Sequence, residues 1–149
     1  MDVGDVMTRS VVSAPPETSV REVAELMRDR NVGSVVLADP HERPVGFITD
    51  RDLTIAVLAD ARDTQAAAAD HASAPVVTAT AGMDVEEAAA LMVRHGIRRL
   101  PVLDGERLAG IVTLDDLAAR TGDLALAQHM TRQITRAALP DFYFHDRGG

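Results

Sequence analysis

The feature of greatest chemical interest in this sequence is a threonine followed three positions later by an aspartate, and it occurs twice. Thr49 and Asp52 form the first pair, and Thr113 and Asp116 form the second. An ionised carboxylate only accepts hydrogen bonds, so one aspartate can take two hydroxyl donors, such as those of a sugar. The same spacing also caps a helix, where both side chains bind backbone N–H groups of the first turn. The spacing alone leaves both interpretations open.

Two adjacent arginines, Arg98 and Arg99, form a second group of chemical interest. A guanidinium offers a planar fork of donors that suits a phosphate group. The whole chain is acidic, with 23 acidic and 15 basic residues and a formal net charge of −8. Because proteins that bind nucleic acid usually carry a basic stripe, this balance disfavours a nucleic-acid partner, although it does not exclude a local basic pocket. A solvated or ion-paired surface pair is the alternative interpretation.

The remaining polar residues give little support for catalysis or metal binding. The neighbouring acids Asp50 and Asp52, and Asp115 and Asp116, resemble paired catalytic carboxylates, but no other acid, histidine or nucleophile recurs at a matching spacing. The five histidines form no His-x-x-x-His pair, and the absence of cysteine excludes thiolate metal sites and thiol nucleophiles. We therefore expect no enzyme activity, no catalytic residue, no metal site and no cofactor.

These motifs occupy matching places in an internal repeat. Residues 18–27 align with residues 83–92 at a shift of 65, and residues 46–53 align with residues 110–117 at a shift of 64. Each copy predicts a short valine-rich strand, a helix, two strands and a second helix. A unit of roughly 50–60 residues buries little surface alone, so the copies are expected to share a core. The predicted fold class is α+β, with two β-α-β-β-α repeats related by a pseudo-twofold axis and a C-terminal helical tail.

The first helix of each copy carries an apolar stripe at positions i, i+3, i+4 and i+7, as amphipathic helices do. The stripe residues are Val20, Val23, Ala24 and Met27 in the first copy and Val85, Ala88, Ala89 and Met92 in the second. The helices should end at Asn31 and Gly96, because asparagine and glycine readily adopt the left-handed conformation. The short first strands are predicted at Val11–Val12 and Val76–Val77, and a hairpin at Asp104-Gly105.

The sequence predicts four segments along the chain. They are a first repeat over residues 3–60, a linker over 61–69, a second repeat over 70–120 and a tail over 121–149. Residues 54–69 are expected to continue the helix that begins after Thr49 and to connect the copies.

The tail is expected to contain an amphipathic helix over residues 124–139, stopped by Pro140. Its apolar side is Leu126, Met130, Ile134 and Ala137 or Ala138. The cluster Phe142-Tyr143-Phe144 is expected to dock on this chain or on a dimer mate, since exposed apolar patches usually mark contacts.

The duplicated unit resembles a tandem pair of cystathionine β-synthase (CBS) domains, the Bateman module. The resemblance rests on the Asp5-Val6-Met7-Thr8 segment and on the Gly-apolar-apolar-Thr-x-x-Asp signature in both copies, and it covers about residues 3–120. It implies a regulatory module that binds adenosine-containing ligands, such as AMP, ADP, ATP or S-adenosylmethionine, in clefts between the repeats. Such modules often assemble into flat, disc-shaped dimers.

The resemblance also implies roles for particular residues. In the family pattern the aspartate accepts hydrogen bonds from both ribose hydroxyls and the threonine assists, which assigns Thr49, Asp52, Thr113 and Asp116 to the ribose. The implied base pocket is Val12, Ser13, Val32 and Gly33 in the first copy and Val77, Thr78 and Ile97 in the second. Arg98 and Arg99 are the implied phosphate contacts. Because Gly33-Ser34 replace them in the first copy, the second-copy cleft is expected to take a charged nucleotide.

The leading functional hypothesis is a stand-alone regulatory CBS-pair protein that senses an adenosine-containing ligand and signals through a homodimer or a protein partner. The alternative is a structural or interaction dimer whose clefts no longer bind ligands. The first residues include two acids and no basic segment, unlike a signal peptide, and no apolar run approaches the ~18 residues of a membrane span. A cytoplasmic protein without a membrane partner is therefore expected.

Overall fold

The computed structural model describes residues 1–138 of the chain. The helices are α1 (Val3–Val6), α2 (Val20–Arg30), α3 (Asp50–Thr54), α4 (Val85–His95), α5 (Leu114–Thr121) and α6 (Leu124–Ala138). The strands are β1 (Ser13–Ala14), β2 (Ser34–Ala38), β3 (Pro44–Thr49), β4 (Ala79–Thr80), β5 (Arg99–Asp104) and β6 (Arg107–Thr113). The predicted aromatic cluster Phe142-Tyr143-Phe144 lies outside the described residues.

Each repeat forms one three-stranded sheet with the same topology. In the first repeat β1 pairs in parallel with β2, which pairs antiparallel with β3, and β4, β5 and β6 repeat this order in the second. The predicted hairpin joins β5 to β6, with Gly105 at a φ of 63°. The predicted order of strands and helices, and the α+β class, are confirmed.

The short first strand of each repeat lies later in the chain than predicted. The structure places it at Ser13–Ala14 and at Ala79–Thr80, and not at the valine pairs Val11–Val12 and Val76–Val77. Valine-rich composition favours a strand, but the ladder begins only where the chain reaches β2, with Ser13 opposite Val36.

The ends of α2 and α4 agree with the sequence analysis. The Ser19 hydroxyl accepts a hydrogen bond from Glu22 N (3.2 Å), and the Glu22 carboxylate accepts one from Ser19 N (3.3 Å), which fixes the start of α2. Asn31 ends α2 at a φ of 53°, and Gly96 ends α4 at 63°. Both left-handed caps are confirmed.

The prediction that residues 54–69 continue a helix was wrong. After α3 the chain makes one π-helical turn over Ile55–Ala59, and a short 3-10 turn follows at Ala68–Asp70. Between them the Asp63 carboxylate accepts a hydrogen bond from Gln65 N (2.9 Å), a local turn that competes with helix formation. The alanines at positions 66–69 do not extend a helix from α3. Ala68 is instead fully buried in the apolar cluster of the first repeat.

The buried apolar residues form two clusters, one in each repeat, rather than the single shared core that was expected. The cluster of the second repeat includes Val3, Val6 and Met7, which lie at the start of the first repeat. The cluster of the first repeat includes Ala68, which precedes the second repeat. We call residues 2–8 and 67–73 the leading segments. Each leading segment completes the core of the other repeat.

Backbone hydrogen bonds fix this exchange of leading segments. Thr8 and Ile111 exchange two N–H···O bonds of 2.8 Å, which adds Thr8 to the edge of β6. Ser73 and Phe47 make the equivalent pair of bonds, 2.9 and 3.1 Å long, at the edge of β3. The two bridges obey the same pseudo-twofold symmetry as the sheets.

Gly110 permits the close approach of the first leading segment to β6. A Cβ atom at this position would lie 2.7 Å from Met7 Sδ and 2.8 Å from the Thr8 carbonyl oxygen, which is too close for any side chain. We therefore expect Gly110→Ala to lower the free energy of unfolding by about 1–3 kcal/mol, measured by urea denaturation. Gly82→Ala is the matched control, because a Cβ at Gly82 meets no atom within 4 Å. Equal effects of the two substitutions would contradict this interpretation.

The two apolar stripes differ in what covers them. Ala89 in α4 is 5% exposed and shares a core cluster with Met130 and Ile134 of α6. Its counterpart Ala24 in α2 is exposed, contrary to the prediction. The difference follows from α6, which packs on α4 and α5 of the second repeat only. Met27 and Met92 are buried as predicted.

Candidate functional site

A cavity of about 320 Å³ lies where the two repeats meet, and we call it the Thr113 cleft. The first repeat contributes residues from the chain before β1 and from the loop between α2 and β2, and the second repeat contributes residues of β5 and β6. The lining includes Val12, Val32 and Gly33 from the first repeat and Arg99, Ile111 and Thr113 from the second. Aliphatic side chains, hydroxyl groups and one guanidinium therefore line a common space.

The cleft combines site residues that the sequence analysis had sorted by copy. Val12, Val32 and Gly33 were assigned to a first-copy cleft, and Arg99 and Thr113 to a second-copy cleft. The structure brings all five together because the leading segment of the first repeat pairs with β6. The grouping by copy was therefore wrong, although each of these residues lines a cavity.

Thr8, Ser10 and Ile111 also line the cleft and were not selected from the sequence as site residues. Only the pairing of the first leading segment with β6 could have identified them. The sequence gives no sign of this pairing, because the bridge joins positions that share no motif. Ser13 lies elsewhere, on a separate cavity of about 190 Å³ with Arg9 and Glu42. Successive residues of an extended chain point to opposite sides, which separates Ser13 from Val12.

Thr113 and Asp116 form a reciprocal cap at the start of α5. Asp116 Oδ2 accepts a hydrogen bond from Thr113 N (2.9 Å), and Thr113 Oγ1 accepts one from Asp116 N (3.1 Å). The helix-capping interpretation is confirmed. It does not exclude a ligand, because Asp116 Oδ1 accepts no hydrogen bond within residues 1–138.

Thr49 and Asp52 form the same cap at the start of α3. Asp52 Oδ2 accepts from Thr49 N (2.9 Å) and from Thr49 Oγ1 (3.0 Å), and Thr49 Oγ1 accepts from Asp52 N (3.3 Å). The pseudo-twofold axis relates the Thr113 cleft to a second position, at which Thr49 and Asp52 correspond to Thr113 and Asp116. Val77 and Ile97 correspond to Val12 and Val32 at this second position, whereas Thr78 corresponds to Ser13, which lies outside the Thr113 cleft.

The arginine pair is divided by the structure. Arg99 stands opposite Thr113 in the β5–β6 ladder, so both side chains lie on one face of the sheet and line the cleft. Arg98 Nη2 instead donates a hydrogen bond to Thr135 Oγ1 of α6 (3.3 Å). The sequence analysis expected both guanidinium groups to contact one anion. In the structure they do not converge.

Arg99 is the cation of the Thr113 cleft. Its side chain is exposed to solvent, and it makes no salt bridge within the part of the chain that the structure describes. Ser34 occupies the equivalent place in the first repeat, opposite Thr49. Within residues 1–138, a guanidinium without a salt-bridge partner thus lies beside one of the two Thr-x-x-Asp turns.

A larger surface depression of about 760 Å³ lies between the β2–β3 and β5–β6 hairpins, but its chemistry is that of an ionic contact between repeats. Arg107 pairs with Glu42, and Arg43 lies 3.6 Å from Glu106. Hydrogen bonds from the backbone of Arg43 hold the pKa of the Asp39 carboxyl below its ordinary value. The charged side chains that line this depression are paired with one another, so the smaller Thr113 cleft is the better candidate site.

The structure gives two further findings on what the described residues contain. Within residues 1–138, no group of three or more histidine, aspartate or glutamate side chains is arranged to hold a metal ion. None of the helices in the same range is long and apolar enough to cross a membrane.

The fold and the duplicated turn define a class of protein built from two similar paired domains, and a comparison with known families identifies the domain. The CBS domain family matches residues 3–59 and again residues 68–121. The chain therefore belongs to the CBS domain family and contains two copies of the domain.

Relatives of this chain are similar over most of its length. An uncharacterised protein of Methanopyrus kandleri is 41% identical over 78% of this chain, which spans 61% of that protein. The CBS domain-containing protein YhcV of Bacillus subtilis is 38% identical over 78% of this chain and 82% of its own length.

Solved structures with the same fold contain different ligands. A CBS domain protein of Pyrobaculum aerophilum, complexed with AMP, has a TM-score of 0.74 and 27% identity over 89% of this chain and 99% of its own. The CBS domain pair of protein MJ0100, with 5′-methylthioadenosine and S-adenosyl-L-methionine, has a TM-score of 0.72 and 27% identity. The match covers 82% of this chain and 96% of that one. Hypoxic Response Protein I, with two coordinated zinc ions, has a TM-score of 0.74 and 30% identity. The match covers 80% of this chain and 98% of that one.

Proposed function

We propose that this chain is a non-enzymatic, cytoplasmic regulator that binds an adenosine-containing ligand in the Thr113 cleft. The observation that carries the proposal is the meeting of a Thr-x-x-Asp turn, the Arg99 guanidinium and aliphatic side chains around one cavity. The ligands of the similar solved structures, AMP, 5′-methylthioadenosine and S-adenosyl-L-methionine, support the same chemical class.

Each part of the ligand has a matching group in the cleft or, for Asp116, beside its lining residue Thr113. The aliphatic side chains of Val12, Val32 and Ile111 offer an apolar surface to a purine ring. Asp116 Oδ1 accepts hydrogen bonds from ribose hydroxyls, while its Oδ2 continues to cap α5. Arg99 donates to the anionic group that follows the ribose, because its guanidinium suits phosphate or carboxylate oxygens.

Titration calorimetry with AMP, ADP, ATP and S-adenosylmethionine tests the proposal on the full chain. We expect heat of binding for at least one of the four ligands, with a stoichiometry of one per Thr113 cleft. A folded protein that gives no heat with any of them would overturn the proposal.

The second candidate function is an interaction module that acts through a homodimer or a protein partner without binding a ligand. The observation that favours it is an uncovered apolar surface on the first repeat, where Leu58 is 78% and Ile55 40% exposed and Ala24 is exposed. A melting temperature that stays constant across the ligand panel would favour this function. A ligand at 100 times its dissociation constant should instead add about 2.7 kcal/mol of stability.

Signalling through a homodimer or a protein partner belongs to both candidate functions. The adenosine ligand distinguishes them, because only the first requires occupancy of the cleft. We place the ligand-binding function first, since Arg99 has no other ionic partner within residues 1–138.

A further inference from the structure

A carboxylate lies next to Gly33, one of the residues that line the Thr113 cleft. Gly33 lines the cleft, and its carbonyl oxygen accepts a hydrogen bond from Asp50 N (3.0 Å). A Cβ atom built on Gly33 would lie 3.3 Å from Asp50 Oδ2. Because Gly33 has no side chain, nothing of this residue but its backbone separates the Asp50 carboxylate from the cleft.

The orientation of this carboxylate is fixed by its other oxygen. Asp50 Oδ1 accepts a hydrogen bond from Arg51 N (2.9 Å), which leaves Oδ2 beside Gly33. The neighbouring Arg51 side chain forms no salt bridge within residues 1–138, so Asp50 keeps its charge uncompensated by a close ion pair.

The fold does not require an acid at this position. Leu114 is the equivalent residue in the second repeat, where its backbone N donates to the Arg98 carbonyl in the same way (2.9 Å). Leu114 is 4% exposed and uncharged, whereas Asp50 is exposed. The caps of α3 and α5 are made by the threonine and the later aspartate in both repeats. Asp50 and Leu114 therefore differ in charge between the repeats, and the Asp50 carboxylate also accepts a hydrogen bond from Arg51 N of the first turn of α3.

The charges around the cleft limit the negative charge that its ligand can carry. Arg99 is the cation among the lining residues, and Asp116 adds one negative charge beside Thr113. Asp50 adds a second negative charge next to Gly33. A ligand with one phosphate can pair with Arg99, but each further phosphate adds negative charge without another lining cation. At physiological salt the Debye length is about 8 Å, so repulsion from a carboxylate at the wall is only partly screened.

We propose that Asp50 is a specificity-determining residue that admits adenosine ligands with a single anionic group and rejects di- and triphosphates. This inference rests on the proposed function of the Thr113 cleft. It narrows the ligand class to nucleoside monophosphates and to adenosine derivatives whose tail carries one carboxylate, in preference to ADP and ATP.

The test compares AMP and ATP binding to three forms of the full chain by titration calorimetry. Wild-type protein should bind AMP at least tenfold more tightly than ATP. Asp50→Asn keeps an oxygen that can accept from Arg51 N but removes the charge, and it should reduce this preference by a factor of about 3–10, from the size of a single like-charge interaction near a protein surface. The reduction should shrink at 1 M salt.

Asp60→Asn is the matched control, because it makes the same change in net charge at an exposed position beyond α3 and its π-helical turn. It should leave the ratio of the two dissociation constants unchanged. A wild-type protein that binds ATP as tightly as AMP would overturn the inference, as would equal ratios in Asp50→Asn and wild type. Binding of AMP with an unchanged ratio leaves the proposed function standing, whereas no binding of any adenosine ligand overturns the function itself.

Discussion

Asp116→Ala is expected to weaken the binding of an adenosine-containing ligand roughly 100-fold or more. The substitution removes the carboxylate that we propose accepts two ribose hydroxyls, and a hydrogen bond to a charged group contributes about 1.5–3 kcal/mol. Titration calorimetry with the tightest ligand of the panel measures the loss.

The substitution also removes a helix cap, which lowers stability by about 0.5–2 kcal/mol whatever the role of the cleft. Asp52→Ala is the matched control, because it removes the equivalent cap from α3 in the first repeat. It should cost similar stability and leave affinity for the Thr113 cleft within about threefold of wild type. Equal losses of affinity in the two variants would show that the effect comes through capping and not through ribose contacts.

Arg99→Gln separates the anionic part of the ligand from the nucleoside part. The variant should bind AMP about 10-fold more weakly, since a charge-assisted hydrogen bond is lost, and should bind adenosine as wild type does. Arg98→Gln should change neither affinity, because the Arg98 guanidinium donates to Thr135 on α6. A loss of AMP binding in Arg98→Gln alone would reverse the assignment of the two arginines.

Met92→Ala is expected to lower the free energy of unfolding by about 2–5 kcal/mol, the largest effect on stability among the substitutions considered. Met92 is fully buried in the cluster that α4 forms with the second sheet and with α1. Truncating its side chain removes buried apolar contacts and leaves a cavity that a closely packed core fills only in part. Urea denaturation measures the change.

Leu58→Ala is the control for Met92→Ala. Leu58 is apolar and of comparable size, but it is 78% exposed on the π-helical turn after α3. Its truncation should change the free energy of unfolding of the monomer by less than about 0.5 kcal/mol. A large loss in Leu58→Ala that grows with protein concentration would instead indicate that the exposed face of the first repeat is buried in a dimer.

The sequence predicted those features of the fold that depend on local chemistry. The duplicated pattern predicted two matching sheets, and the caps at Asn31, Gly96, Thr49 and Thr113 all form as expected. Each of these caps is decided by residues within a few positions of one another, so a short stretch of sequence contains the full signal.

The composition of the cleft could not be predicted in the same way. Its two sides come from different repeats, and the contact that joins them is a backbone bridge between Thr8 and Ile111. Backbone groups are the same in every residue, so such a bridge leaves no trace in residue types. The separation of Arg98 from Arg99 depends on which neighbour approaches each side chain, and α6 provides the partner of Arg98. The exposure of Ala24 likewise depends on the asymmetric position of α6.

The exchange of leading segments determines how the chain can be divided and how it folds. The bridge between Thr8 and Ile111 spans more than 100 residues of chain. The core of the second repeat therefore closes only after the first leading segment and β6 are both available. Contacts of such high sequence separation slow folding, because a long loop must be ordered before they form. During synthesis the apolar partners of α1 begin to leave the ribosome only with the second repeat, starting at β4. Cutting the chain at the connection between the repeats would yield two halves that each lack a piece of their own core.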